Sequence, residues 1–311
     1  MSAADEPDRW EYDDDYERYR VLRDPWLGQV DERAYAAFRI VFAIMALANL
    51  ICLFPYRQAF FTSDGMIDAD AVHQLGWHTW LSVFTFVDSG WGVTLCFVVA
   101  AVAMICLGLG ISARVARVAA VVVFVWHLSF TYRAMPGTSG WDFTLRAYSF
   151  LVMVSPLGLC WRYGAKITPP KMVLNYGITL MRIQVAVIYW QTVVLKFGDK
   201  YWQDGEFLTY FLLSNYARWP HERVAGWNDL LIPVTYVALL IEIAIPILLF
   251  VPRTRKLGFV LGFSFHLLIA IAGKHLWLFT ATMWMSYVAF VTPGVLDRVE
   301  RSVKRVRGDS S

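Results

Sequence analysis

The stretch VLNYGITLMRIQVAVIYWQTVVLKF, residues 173–197, decides how this chain folds. It is longer than the about 20 apolar residues that a helix needs to cross a bilayer. Two cations, Arg182 and Lys196, interrupt it, and Lys196 stands almost at its end. We therefore expect a transmembrane helix that carries charged groups inside the apolar layer.

The composition extends this picture to the whole chain. Of its 311 residues, 58% are hydrophobic and 17% are charged, whereas a soluble domain averages about 45–50% and about 25%. Long apolar runs predict an all-α fold, a polytopic integral membrane helical bundle of about eight transmembrane helices. The predicted spans are 34–56, 90–111, 114–133, 142–161, 173–197, 230–251, 256–273 and 275–293.

Lysine and arginine in the loops predict orientation, because basic loops stay in the cytoplasm. They concentrate before the first run, after every second run and beyond the last one. We therefore predict a multi-pass protein of the cell membrane with both termini cytoplasmic. Residues 1–33 would be an acidic cytoplasmic segment, 34–293 the bundle and 294–311 a basic tail, which could lie as an amphipathic helix on anionic headgroups.

Two outer segments, 57–89 and 198–229, are longer than the other connections. Both mix Trp, Tyr and Phe with acids, His and Gly, and such aromatic side chains concentrate at membrane interfaces. We predict two helical outer-face segments, which could roof a cavity between the spans.

Ionisable residues inside the bilayer are candidate functional residues, since each costs about 2.5–3.5 kcal/mol to insert. Three of them have structural explanations. Arg39 could snorkel to the cytoplasmic headgroups, and His127 is interpreted as a neutral interior residue. Arg146 could form an ion pair with Asp142, one helical turn earlier.

The remaining candidates are harder to explain by structure alone. Arg182, Tyr189 and Lys196 are seven residues apart, which keeps them within about 20° per step of one helix stripe. Glu242 and His266 lie near the middle of the sixth and seventh runs. The alternative for Glu242 is an ion pair with an arginine, Arg182 or Arg39, that only fixes helix packing.

Lys196 has two possible chemical roles at the apolar boundary. Desolvation and the neighbouring Lys200 would favour its neutral form, and a neutral amine is a general base near pH 7. Such a base could take a proton from a lipid-soluble acid such as a hydroquinone. A protonated Lys196 would instead hold an anion, and the sequence leaves both roles open.

The segment YWQTVVLKFGDKYWQDGEFLTYFL, residues 189–212, resembles the signature of the horizontally transferred transmembrane (HTTM) domain. The matched residues are Lys196, Gly198, Trp202 and Gly205. Further pieces occur in the same order, namely AFRI at 37–40, FFTSDGMID at 60–68, WDFTLRAYSFLVMVSPLG at 141–158 and FHLLIAIAGKHLWLFTATMWMSYVAFVTP at 265–293. This membrane module is shared by vitamin K-dependent gamma-carboxylases and many bacterial proteins.

The resemblance implies a helical bundle with a lipid-facing cofactor cavity and Lys196 as the catalytic base toward a hydroquinone. Two departures limit what it implies. The carboxylases carry a functional histidine where this chain has Trp141 and Asp142, and the chain lacks their large C-terminal lumenal domain. Glutamate carboxylation is therefore not expected.

Two hypotheses follow, and whether the protein is an enzyme stays open between them. The first is a quinol- or lipid-dependent membrane enzyme in which Lys196 is catalytic. Its cofactor, a quinone or hydroquinone, would be bound by Arg182, Tyr189, Trp202, Gly205, Glu242 and His266, with no metal. The second is a non-catalytic maturation, immunity or assembly protein whose outer-face segments bind a secreted peptide or a membrane protein. Neither involves nucleic acid.

Overall fold

A computed structural model describes residues 28–134, 138–164 and 170–307. Most of the described chain is helical, and two short strands, β1 (Gln29–Asp31) and β2 (Met172–Leu174), pair antiparallel at one end of the bundle. In chain order the helices are α1 (Glu32–Leu53), α2 (Arg57–Phe61), α3 (Ala69–His73), α4 (Gly90–Leu109), α5 (Ala113–Arg133), α6 (Gly140–Val154), α7 (Tyr176–Phe197), α8 (Lys200–Gln203), α9 (Phe207–Leu213), α10 (Asn228–Phe250), α11 (Arg255–Ala272), α12 (Trp277–Ser286) and α13 (Pro293–Arg307).

The membrane prediction is supported by the long helices. Six of those described are long and apolar enough to cross a membrane, or seven if the bent pair of α12 and α13 counts as one span. They keep large apolar side chains on their outer faces, for example Val98, Val102 and Ile105 on α4. Such helices, apolar on all sides, are compatible with a membrane protein, in which lipid covers these faces.

The fourth predicted span ends earlier than expected, so its predicted limit at 161 is wrong. Helix α6 stops at Val154, where Ser155 adopts an extended conformation before Pro156. Proline disfavours a helical conformation in the residue before it, which explains the early end. A helix of 15 residues is about 22 Å long, shorter than the about 30 Å of a hydrocarbon core.

The last predicted span is also shorter than expected. Helix α12 covers only Trp277–Ser286 and continues as a 3₁₀ turn, Tyr287–Phe290. The chain then bends by 108° into α13. Residues 294–307 of the predicted basic tail thus belong to a helix set at an angle to α12, and residues 308–311 lie outside the described chain.

Arg33 fixes this bent helix to the start of α1. Its guanidinium lies 2.7 Å from Asp297 and 3.1 Å from Glu300 on α13, and 2.6 Å from Asp31. Because the carboxylates of α13 face Arg33, its cationic Arg298, Arg301 and Lys304 remain exposed.

The prediction that Arg39 snorkels to a headgroup is wrong. The side chain is buried, with 1% of its surface exposed. Its Nη1 donates to the carbonyls of Leu107 (2.5 Å) and Gly108 (2.9 Å), and its Nη2 donates to that of Trp161 (2.6 Å). The first two carbonyls belong to the last turn of α4, which has no further helical partners for them. Arg39 therefore caps α4 and anchors the segment after α6.

Gly110 makes this cap possible. Its φ of 61° is left-handed, the usual way for a helix to end at glycine. A Cβ at this position would lie 2.5 Å from Arg39 Nη1, so a larger residue would have to displace the guanidinium that caps α4.

The expected pair of Arg146 and Asp142 is not the arrangement found. Asp142 accepts hydrogen bonds from the Ser139 backbone (2.8 Å) and from Asn49 (3.1 Å), closing the capping box that begins α6. Arg146 donates to Thr131 Oγ1 at 3.1 Å. Asp142 and Arg146 are close along one helix but do not pair. Asp142 takes part in the helix cap, and Arg146 bonds a residue of the neighbouring helix α5.

His127 is fully buried, as interpreted from the sequence. Its Nδ1 lies 2.8 Å from the Val123 carbonyl on the same helix. The ring is packed near Phe42 on α1, which gives it a place in the core between α1 and α5.

Both long connections contain short helices, in agreement with the prediction. The first carries α2, α3 and 3₁₀ turns, and it packs on α4 and α5. The second carries α8, α9 and a 3₁₀ turn, Glu222–Trp227, and it packs on α7 and α10. They therefore cover different parts of the bundle, and the second is the one that concerns the candidate site.

Replacement of Arg39 by Met should destabilise the protein strongly, because the carbonyls at the end of α4 would lose a buried charged donor. Losing such bonds costs on the order of 1–3 kcal/mol. The measurement is the midpoint of thermal unfolding in detergent, with Arg162→Met as the control, since Arg162 is exposed in the same region. Equal midpoints for the two variants would contradict the capping role.

Candidate functional site

Lys196 forms an ion pair with Glu242 between α7 and α10. The Lys196 ammonium lies 2.6 Å from Oε1 and 2.5 Å from Oε2 of the carboxylate. The two side chains are 20% and 10% exposed, so both charges are largely removed from solvent. The predicted alternative, in which Glu242 pairs with Arg182 or Arg39, is wrong, because Lys196 takes this place.

Trp202 covers the ion pair. The Lys196 ammonium lies 4.3 Å from the centre of the Trp202 ring, a distance at which the ring face attracts a cation. Trp202 is 8% exposed and stacks on Phe207 with a centroid distance of 4.0 Å. The cation is thus enclosed by a carboxylate and by an aromatic face.

Gly205 lets the chain place this tryptophan. It has a φ of 76° in the turn between α8 and α9, and a Cβ there would lie 2.8 Å from Ile232 and 3.0 Å from Tyr236. Tyr236 also donates to the Gln203 carbonyl at 2.6 Å. The turn is therefore tied closely to α10, the helix that carries Glu242.

A second polar group lies deeper in the bundle, around Tyr189. The Tyr189 hydroxyl is 2.7 Å from His266 Nε2 on α11 and makes a very short hydrogen bond to the Tyr287 hydroxyl. Both Tyr189 and His266 are buried. Thr280 donates to the His266 carbonyl at 2.9 Å, which joins α12 to the same cluster.

Close packing brings Tyr287 to this position. A Cβ added to Gly262 on α11 would lie 2.6 Å from the Tyr287 hydroxyl. Only glycine therefore allows the tyrosine to cross this face of α11. The sequence analysis missed Tyr287, since a tyrosine near the end of an apolar run is common and carries no distinguishing signal.

The two groups are near enough for their charges to interact. The Glu242 carboxylate lies within electrostatic range of Tyr189, and the Lys196 charge lies within range of His266. We call these five residues the polar cluster: Lys196, Glu242, Tyr189, His266 and Tyr287. Within the described chain, His266 Nδ1 is a buried atom of this cluster for which no hydrogen-bond partner is found.

Arg182 lies beside the cluster rather than in it. Its Nε donates to the Ala289 carbonyl at 2.8 Å, and its guanidinium lies 5.6 Å from the centre of the Phe290 ring. Both residues belong to the 3₁₀ turn that carries Tyr287. Of the predicted stripe on α7, Tyr189 and Lys196 reach the cluster, and Arg182 supports the turn behind it.

Two crevices open elsewhere in the bundle. One of about 220 Å³ lies between α1, α5 and α6, with Asn49, Ser139 and Asp142 in a mainly apolar lining. The other, of about 680 Å³, lies at the start of α5. Lys196 and Glu242 line neither, so the candidate site is defined by its buried charges and not by these two openings. Across the described residues, no group of three or more His, Cys, Asp or Glu side chains is placed to hold a metal ion.

Comparison of this chain with protein-family models, with curated proteins and with solved structures finds no match.

Chemically, the ion pair can accept a proton or stabilise a negative charge. A lysine bonded to both carboxylate oxygens is a charge-assisted contact, and it keeps the ammonium and the carboxylate side by side. A weak acid arriving at this pair would meet the carboxylate as proton acceptor and the ammonium as stabiliser of the resulting anion. The arrangement therefore assigns the base role to Glu242 more naturally than to Lys196.

The ion pair makes a double-mutant prediction. Lys196→Met should lower the midpoint of thermal unfolding in detergent, because it leaves the Glu242 carboxylate unpaired in an apolar bundle, at a cost of up to about 3 kcal/mol. The double variant Lys196→Met/Glu242→Leu should recover most of this loss. Lys200→Met is the matched control, since Lys200 is exposed one turn further on. Losses that simply add in the double variant would show that the two residues do not interact.

Proposed function

We propose that this protein is an HTTM-like integral membrane enzyme that acts on a lipid-soluble weak acid, with a hydroquinone as the leading candidate. The observation that carries the proposal is the Lys196–Glu242 ion pair, shielded by Trp202 and neighbouring a buried Tyr–His–Tyr group. Ionisable residues placed at membrane depth mark functional sites by default. The proposal includes eight membrane crossings and two cytoplasmic termini.

The residues present fit a small aromatic ligand with oxygen substituents. His266 Nδ1 offers a buried polar atom not bonded to any described protein group, and the Lys196 side chain is partly accessible. A hydroquinone supplies a phenolic proton and, after its loss, an oxidisable anion. Lys196, Tyr189 and His266 would orient the oxygen atoms, and Trp202 would exclude water above them.

Proton transfer in this proposal belongs to Glu242. Its carboxylate takes the proton while Lys196 remains an ammonium and stabilises the anion, an electrostatic contribution that grows as water is excluded. Tyr189, which is hydrogen-bonded to both His266 and Tyr287, extends the polar groups from this pair toward the interior of the bundle. Arg182 keeps the turn of Tyr287 in place.

A second candidate function rests on the surface of the segment 198–227. Several of its large aromatic side chains are exposed, namely Tyr201, Tyr210, Tyr216, Trp219 and Trp227. Aromatic residues of this kind are enriched at protein interfaces as well as at membrane boundaries. They favour the alternative of a non-catalytic maturation, immunity or assembly protein that binds a peptide or membrane protein there.

Mass spectrometry of copurified small molecules tests the proposal. Wild-type protein in mild detergent should carry a quinone or a similar lipid-soluble species, and Lys196→Ala and Glu242→Gln should lose most of it because the oxygen-binding groups are disturbed. Lys200→Ala, an exposed neighbour, should retain it. Size-exclusion profiles and circular dichroism verify that each variant is folded.

The opposite outcome is equally informative. If all folded forms carry the same molecules in the same amounts, the ion pair does not hold a ligand and the enzyme proposal fails. If, in addition, Trp219→Ser abolishes crosslinking to a peptide or protein partner while Lys196→Ala does not, the binding function takes its place.

A further inference from the structure

The larger crevice, of about 680 Å³, combines charge with an apolar floor at the end of the bundle where α1 and α5 begin. Its charged lining residues are Glu32, Arg114 and Arg117, and its apolar ones include Val118, Leu157 and Val173. None of the residues of the polar cluster lines it. A ligand that complements this crevice would carry both charged groups and an apolar part.

The two arginines share one face of α5. They are three residues apart, a spacing that makes side chains neighbours on a helix. Arg117 Nη1 donates to the carbonyls of Met153 and Ser155, the latter at 3.1 Å, which holds its guanidinium at the rim of the crevice. Arg114 is exposed one turn earlier.

Glu32 adds the opposite charge. It is half-buried at the start of α1, where its backbone N–H donates to the Lys171 carbonyl at 2.9 Å. Among the ion pairs found for residues of the described chain, none joins Glu32 to Arg114 or Arg117. The crevice therefore presents two positive side chains and one negative side chain that no described ion pair joins.

An exposed apolar strip continues from this crevice along α5. Val118, Val121 and Val125 are 63%, 43% and 38% exposed, and their spacing places them on neighbouring turns of one side of the helix. A charged rim joined to an apolar strip matches the form of a phospholipid, with its headgroup at the rim and an acyl chain along the helix.

We propose that this crevice binds a phospholipid with a phosphoethanolamine headgroup. Arginine binds phosphate oxygens through parallel hydrogen bonds, so Arg114 and Arg117 hold the phosphodiester. Glu32 receives the primary ammonium, and the valine strip contacts an acyl chain. Basic pockets between membrane helices commonly bind lipid headgroups, and Glu32 is the feature that selects a headgroup carrying a positive charge over a purely anionic one.

Native mass spectrometry can test this site with defined lipids. The full chain in detergent is mixed with equal amounts of phosphatidylethanolamine, phosphatidylglycerol and phosphatidylcholine of identical acyl chains. Wild type should retain phosphatidylethanolamine several-fold more than either of the others. Arg114→Gln should reduce the binding of all three, and Arg253→Gln, which removes an exposed arginine from another loop, should change nothing.

Glu32→Gln separates the proposed occupant from an acidic lipid. Removal of the carboxylate should abolish the preference over phosphatidylglycerol, because no group then receives the ammonium. Arg117 is left intact in all variants, since it also ties α5 to the end of α6. If wild type retains the three lipids in equal amounts, and Arg114→Gln retains as much of each as wild type does, the protein makes only bulk lipid contact. A wild-type preference for phosphatidylglycerol would show an anionic-lipid site, and either result overturns the proposal.

Discussion

The Lys196 ammonium and the Glu242 carboxylate meet between α7 and α10, in a bundle where either charge alone would be costly. Their contact fixes the position of α7 relative to α10. The same two helices carry Tyr189 and the residues against which the Gly205 turn packs. From that turn Trp202 reaches back over the lysine. The candidate site therefore follows from one charged contact and from the close approaches that glycines allow around it.

Several arginines of this protein bond backbone carbonyls instead. Arg39 bonds the carbonyls at the end of α4, and Arg182 bonds that of Ala289. Arg133 and Arg218 likewise donate to backbone carbonyls, those of Ile67 and Ala270 among them. A guanidinium has several donors in a fixed plane, which suits it to carbonyls left open at helix ends. The Lys196–Glu242 pair differs from these four contacts because both of its partners are ionisable side chains.

Much of the helix arrangement was readable from the sequence, because apolar runs of sufficient length have few alternatives to a membrane helix. The ends of the fourth and eighth helices could not be read in this way. The local backbone conformation at Ser155 and Pro156, and at the bend before Pro293, sets where these helices stop. Apolarity continues through these breaks and hides them. The count of eight crossings thus remains a prediction beside the six helices that are long enough.

Most residues of the candidate site were selected from the sequence, but the contacts between them were not predicted. Lys196, Glu242 and His266 were selected as ionisable residues within apolar runs, Tyr189 by its spacing from Lys196, and Trp202 through the family resemblance. The partner of Glu242 could not be derived, since three cations were available and the choice depends on which helices are neighbours. Tyr287 was missed for the related reason that its role depends on the absence of a side chain at Gly262.

The protonation state of Glu242 is the most direct test of the account. Infrared difference spectroscopy of the protein in lipid, comparing wild type with Glu242→Gln, isolates the signal of this one carboxyl group. An ion pair with Lys196 predicts that the variant loses a carboxylate stretching band. Loss of a protonated carboxylic-acid band instead would show that Glu242 is neutral in the resting protein, and it would contradict the proposed proton acceptor.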